Sequence, residues 1–481
     1  MTKQKKKFYI TTSLAYTNLA PHIGFALEVI QVDALARYHR FLGEDVFFLT
    51  GTDEHGQKIA KAAQEAGKEP KEFCDEISNE FRKLKEVLNL SNDDFIRTTD
   101  QRRHWPVVKK VWLKLKENGD IYKKKYKGLY CIGCEAFITK KDLVDGKCIH
   151  HQKKPEAVEE ENYFFRLSKY SKKIEKTIEK DEIKIIPESR KKEMLNFVKQ
   201  GLEDISFSRP RKDLKWGIPV QDDNTQTIYV WADALTNYLS ALDYNKNSNK
   251  FKKYWPADVH CLGKDIQKFH CLIWPGILLS LKLSLPKTIF VHGFITVSGQ
   301  KMSKSLGNVI DPFELVRKYG ADAVRYFLLR EIPPTEDGDF TYQKFEGRYN
   351  SDLAKGLGNL VARVITLATK FKVKSEKLKV AVKNQKVIND TWKRYRRALD
   401  EFKFNEALVS IWELISFCDK YIEKERPWEK SKKQKEVIGN LLSTIGEIAK
   451  LLKPFLPETS EKILNQLKTR KSESLFPRLD K

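Results

Sequence analysis

The chain has 481 residues, 41% of them hydrophobic, which is enough to bury a core and excludes a disordered polymer. Its 89 Lys+Arg against 65 Asp+Glu leave +24, which points to a polyanionic partner, although lysine-rich usage across a genome would give the same count. No run approaches the ~18 apolar residues of a membrane span, so a membrane-spanning protein is excluded and a soluble one of about two to four domains is expected.

"KFYITTSL" predicts a first strand, followed by a loop to Pro21 and a helix from about Gly24 to Tyr38. In that helix Ala26, Val29, Ile30, Ala34 and Leu35 approximate an apolar stripe. "DVFFLTGTDEHG" is continuously apolar and then polar, the pattern of a strand buried on both faces. Strand, helix and buried strand make a βαβ unit and predict an open parallel sheet. "VHCLGKDI" and "KTIFVHGFITV" repeat the theme much later, and between them and the first unit residues 116–225 are Cys-rich, then charged, with "ENYFFRLS" as a strand.

Beyond about residue 350 the spacing turns helical. Leu353, Leu357, Leu360, Val361, Val364 and Leu367 recur along one face, Pro427 and Pro454 interrupt the pattern, and a helical bundle is predicted. Residues 351–481 carry 29 Lys+Arg and 17 Asp+Glu, so half of the net charge sits in about a quarter of the chain, a reasonable footprint for RNA. The expected architecture is an α/β Rossmann-like parallel sheet, split by a zinc-containing insertion and followed by an all-α bundle. Its expected segments are 1–115, the insertion 116–225, 226–305, a linking stem 306–349, and 350–481.

Ligands of open parallel sheets bind beyond the carboxyl ends of the strands. His22 and Gly24 lie just past the first predicted strand, where a helix N-terminus attracts phosphate. Taken alone, the segment reads equally well as a histidine in a loop beside a helix start. Far along the chain "SGQKMSKSLGN" sets Lys301 and Lys304 around Met302 and Ser303, two mobile charges suited to a triphosphate. Of seven cysteines, three fall within residues 131–148, which is no disulfide framework and fits a reducing cytoplasm. Cys131-x₂-Cys134, thirteen residues, then Cys148-x₂-His151 supply four ligands for tetrahedral Zn²⁺; His150 competes for the fourth place, and the two-residue gap favours His151.

"PHIGF" and "KMSKS" together resemble the two signatures of the class I aminoacyl-tRNA synthetases. With the knuckle in the insertion, the whole chain from "ITTSLAYTN" to "SLFPRLD" resembles the methionyl-tRNA synthetases in their single-zinc bacterial form. The resemblance implies activation of L-methionine by ATP, with Mg²⁺, and transfer to tRNA(Met). It implies that His22, Lys301 and Lys304 act on the phosphates, and that Asn18, Gly24, Lys264 and Asp265 join His22 and Lys304 around ATP. Leu14, Tyr16, Trp231, Ala234, Tyr238, His270 and Trp274 would enclose methionine, whose ammonium Asp53 would hold. Asn359 and Arg363, four apart on one helical face, and Trp428 would read the anticodon.

Two positions depart from the family pattern: Phe25 stands where a second histidine is usual, and Ala15 where proline is common. Phe25 cannot donate to a phosphate, and neither change removes His22, Gly24 or Lys304. Longer relatives append an oligonucleotide-binding, dimer-forming domain, and without room for one a monomer is expected. Three rival readings remain: another class I synthetase, an adenylate-forming ligase on the same fold, and an RNA-binding relative without catalysis. The last is expected to lack Lys304 or Asp53.

Overall fold

The computed structural model describes residues 5–133, 136–138, 143–149, 152–303, 306–373 and 382–479. The chain divides into two compact units, one of residues 1–21, 42–85 and 91–292, the other of residues 22–41, 86–90 and 293–481.

The first unit is built on a sheet of parallel strands. Lys184–Ile186, Thr288–His292, Val259–Gly263, Lys7–Thr11 and Asp45–Asp53 lie side by side in that order. Ala15–Tyr16 and Asp94–Arg97 both pair with Asp45–Asp53. Val46 to Asp53 are buried without a break, as the apolar run predicted. Tyr9, Phe47, Leu49, Leu262, Ile289 and Val291 from these strands enter one core with Trp112, Phe165, Tyr238 and Trp274.

Within residues 116–225, Ile121–Cys131 pairs antiparallel with Glu156–Phe165, the strand expected at "ENYFFRLS". One piece of this stretch goes elsewhere: Lys184–Ile186 joins the edge of the parallel sheet. With only three residues, that strand leaves no periodic signal in the sequence.

"KTIFVHGFITV" is not one strand. Thr288–His292 belongs to the parallel sheet of the first unit. In the second unit, Ile295–Val297 forms a small sheet with Gln300–Lys301 and Gly338–Phe340. The break falls at Gly293, where a Cβ would come within 2.1 Å of the Glu336 backbone, so only glycine allows the chain to pass.

The second unit is otherwise helical. Its first helix, Ile23–Phe41, runs somewhat longer than predicted. The stretch Tyr349–Gly358, in π-helical turns, leads into Asn359–Lys370, followed by Val382–Asp400, Phe404–Glu425, Gln434–Leu452 and Pro457–Thr469. Leu353, Leu357, Leu360, Val361, Val364 and Leu367 are all buried. The helix Phe404–Glu425 closes at Arg426, whose φ is 41°, and Pro427 cannot continue it. Among the described residues no helix is long and apolar enough to cross a membrane.

Candidate functional site

In the first unit, Tyr16 and Asp53, both expected around methionine, lie at the carboxyl end of Asp45–Asp53. The short strand Ala15–Tyr16 runs parallel to it, with Tyr16 in register with Asp53, and the Thr17 N–H donates to the Asp53 carbonyl at 3.1 Å. The Tyr16 hydroxyl donates to the His55 carbonyl at 3.0 Å. Asp53 is buried, and Leu14 packs against the core from the same segment.

The other residues expected around methionine form an aromatic wall of their own. Trp231 and Ala234 lie on the short helix Val230–Ala234, and Tyr238 on Asn237–Ser240. Trp231 stacks on Phe269, with centroids 3.5 Å apart and planes 9° apart; its buried indole N–H has no hydrogen-bond partner among the described residues. Tyr238 lies 5.8 Å from Trp274, both fully buried.

Two histidines hold this wall in defined tautomers. A carbonyl only accepts, so His270 Nδ1–H must donate to Ile266 O at 3.1 Å, which leaves Nε2 to accept from the Tyr238 hydroxyl at 2.8 Å. Likewise Trp274 Nε1–H donates to His260 Nε2 at 3.3 Å, so His260 Nδ1–H donates to Thr11 Oγ1 at 2.8 Å. Burial lowers both imidazoles, His270 to about 4 and His260 well below its ordinary value, with the neighbouring His270 adding to the second. Both rings are therefore neutral at pH 7.

Behind Trp231 and Ala234, Asp233 is buried between His55 and His104, at 2.7 Å from each. Burial pushes its carboxyl up, and the two imidazoles outweigh this and hold it below the ordinary carboxylate value. An acid inside an apolar run such as "VWADAL" was a signal of a buried partner, and "GTDEHG" contained that partner. Neither was read that way. Asn18 lies half-buried in the turn after Tyr16. Lys264 and Asp265 follow strand Val259–Gly263 in a turn closed by Ile266 N–H donating to Gly263 O at 3.2 Å.

In the second unit the structure brings His22 and Gly24 together with the start of the lysine loop. Gly24 N–H donates to His22 Nδ1 at 3.1 Å, which makes Nε2–H the ring's donor. A Cβ on Gly24 would stand 2.8 Å and 2.9 Å from ring atoms of His22 and 3.6 Å from the Met302 methyl. Burial holds the His22 imidazole below its ordinary value, so it too is neutral at pH 7.

Lys301 ends the hairpin Ile295–Val297/Gln300–Lys301 and is exposed. Lys304 lies outside the described residues. Asn308, which was not anticipated, ties the loop: its side chain accepts from Ser303 N–H at 2.9 Å and donates to Lys301 O at 3.2 Å. Asp339 anchors the hairpin from the neighbouring strand, accepting from Gly299 N–H at 2.7 Å and Thr296 Oγ1–H at 2.8 Å.

Of the four expected zinc ligands, Cys131 and Cys148 are buried in one small cluster with Ile138. Cys134 and His151, with the competing His150, lie outside the described residues. Among the described residues no group of three or more potential ligands stands together. In the helical bundle the Arg363 guanidinium sits 5.2 Å over the ring of Trp428, which is 43% exposed, while Asn359 is exposed on the same helix as Arg363.

Known proteins share this arrangement along nearly the whole chain. The family described as "tRNA synthetases class I (M)" matches residues 8–149 and 133–365, and "Anticodon-binding domain of tRNA ligase" matches residues 385–480. Methionine–tRNA ligase of Caldanaerobacter subterraneus subsp. tengcongensis is 44% identical, the match covering 99% of this chain and 79% of that one. The Brucella suis biovar 1 protein of the same name is 42% identical, over 96% and 92%. The structure of Mycobacterium tuberculosis methionyl-tRNA synthetase in complex with methionyl-adenylate superposes with a TM-score of 0.90 at 37% identity, covering 99% of both chains. With likeness of this extent in both sequence and fold, the chain belongs to the methionyl-tRNA synthetases of class I.

Proposed function

We infer that this chain activates L-methionine with ATP and transfers it to the 3′ end of tRNA(Met). The observation that carries this is the near full-length relationship to methionine–tRNA ligases, across both the catalytic and the anticodon-binding families. In the first step the methionine carboxylate attacks the α-phosphorus of ATP, which enters with Mg²⁺. The bond to pyrophosphate breaks and the mixed anhydride remains. The carboxylate is already ionised at pH 7, so no general base is needed, only positioning and charge. In the second step a 3′-terminal ribose hydroxyl attacks the anhydride carbonyl, and AMP leaves.

The residue roles are those the resemblance implies, and the geometry supports several of them. His22, neutral and with Nε2–H as its donor, would hydrogen-bond phosphate oxygens, and Lys301 and Lys304 would neutralise them from the loop. The tautomer set by Gly24 supports this reading. Asn18, Lys264 and Asp265 would complete the ATP contacts, which their place at the carboxyl ends of the strands supports. Asp53 would take the ammonium, Leu14 and Tyr16 one side of the substrate, and Trp231, Ala234, Tyr238, His270 and Trp274 the thioether side. The buried, unpartnered indole N–H of Trp231 supports a weak-acceptor ligand there.

One structural Zn²⁺ would be held by Cys131, Cys134, Cys148 and His151 in the insertion. The joint burial of Cys131 and Cys148 supports it, since thiolates taken from water suit zinc. Asn359, Arg363 and Trp428 would read the anticodon, and the exposed Arg363–Trp428 stack supports this. A cytoplasmic monomer remains the reading for its cellular state.

The test is amino-acid-dependent ATP–pyrophosphate exchange with each of the twenty amino acids. Exchange with methionine alone is expected. Exchange with none of them would overturn the assignment of activity.

A further inference from the structure

We propose that the turn following Trp428 is a contact surface for the tRNA backbone, in which Lys430, Lys432, Lys433 and Lys435 bind phosphates beside the bases that Trp428 stacks on. The proposal rests on reading Trp428 as a base-stacking residue. Four lysines occupy six consecutive positions here, and all four side chains are exposed. Among the described residues none of the four is ion-paired with a carboxylate; the adjacent Glu429 faces Arg426 instead, at 3.5 Å. Their charge is therefore not neutralised within the fold, and salt-dependent attraction of a polyanion follows.

The turn is also held in place. Arg426 and Pro427 end the preceding helix, and the Gln434 side-chain amide donates to the carbonyls on either side of Trp428, Pro427 O at 2.9 Å and Glu429 O at 3.1 Å. The lysines thus lead from an exposed aromatic–guanidinium stack to the N-terminal end of the helix Gln434–Leu452, where the helix dipole also favours an anion. Aromatic stacking next to unneutralised cations is the composition of a single-stranded nucleic-acid site. An acidic protein segment would use the cations and leave the Trp428 ring idle.

The experiment measures binding of the full chain to two tRNA transcripts over a range of KCl. One transcript carries the methionine anticodon and the other has its three anticodon bases changed. The variant combines Lys430→Gln, Lys432→Gln, Lys433→Gln and Lys435→Gln. Each lost phosphate contact lowers the slope of log K against log salt by about 0.7–0.9, so a fall of about 2–4 is expected for both transcripts alike. Affinity near 0.1 M salt should drop by about tenfold or more, with methionine-dependent pyrophosphate exchange unchanged. An unchanged slope overturns the proposal, and so does a loss confined to the methionine-anticodon transcript, which would mean base contacts. Trp428→Ala, measured alongside, separates the two readings. It should remove the preference between transcripts while keeping the slope. If the preference survives in Trp428→Ala, the stacking role fails, whatever the lysine variant shows.

Discussion

His22 shows how one absent carbon sets the orientation of a side chain. Its ring is oriented by the Gly24 N–H, and the space a Gly24 side chain would need is already filled by that ring. Gly24→Ala must move the imidazole, and loss of one donor to a developing phosphate charge costs about 10²–10³ in rate. We expect kcat for pyrophosphate exchange to fall by about 10²-fold with the methionine KM little changed; a fall below threefold would show that His22 is not placed for phosphate. The buried histidines of the aromatic wall make a second expectation at this scale. His270 titrates near 4 when folded and near 6.5 when unfolded. Its contribution is complete above pH 6.5 and is lost as pH falls toward 4, because only the unfolded chain takes up the proton in that window. Each group of this kind steepens the loss by up to about 1.4 kcal/mol per pH unit. Urea unfolding at pH 7, 6 and 5 should show stability declining with acid, and His270→Asn should flatten that decline; equal slopes would contradict it.

At the scale of elements, the lysine loop and the insertion depend on different supports. The loop leaves a hairpin whose turn is held by Asp339, and Asn308 closes it on the other side. Around the expected knuckle, Cys131, Ile138 and Cys148 are the buried cluster among the described residues. So small a cluster gains most from a bound metal. With Zn²⁺ held by the four ligands, purified protein should contain about one zinc per chain, and Cys148→Ser should lose most of it by elemental analysis. Full zinc content in Cys148→Ser would remove that residue from the ligand set.

At the scale of the whole molecule, the second unit is assembled around one buried guanidinium. Arg325 is fully buried and donates to Asp33 at 2.7 Å, to Phe455 O at 2.7 Å, to Pro454 O at 3.1 Å and to Leu88 O at 3.2 Å. It thereby joins the helix that begins beside His22, the 86–90 turn and the end of the helix Gln434–Leu452. Removing one partner of such a buried set costs about 3–5 kcal/mol, since three buried carbonyls lose a donor, as does Asp33, which keeps its bond from Arg37. Arg325→Leu should lower unfolding free energy in urea by that amount; a change under about 1 kcal/mol would show that the set is solvated.

The sequence by itself determined the parallel sheet, the helical bundle and the two signatures, because buried runs, helical spacing and short motifs are local patterns. It also made the kind of chemistry legible: a histidine at a helix start and lysines on a loop suit phosphate. Only the tertiary structure decided that Asp233 lies between His55 and His104, that Asp339 and Asn308 hold the lysine loop, and that Lys184–Ile186 belongs to the main sheet. Each of these joins residues far apart in the chain through single hydrogen bonds or a strand of three residues. Such contacts depend on where the chain returns in space, and no local periodicity records them.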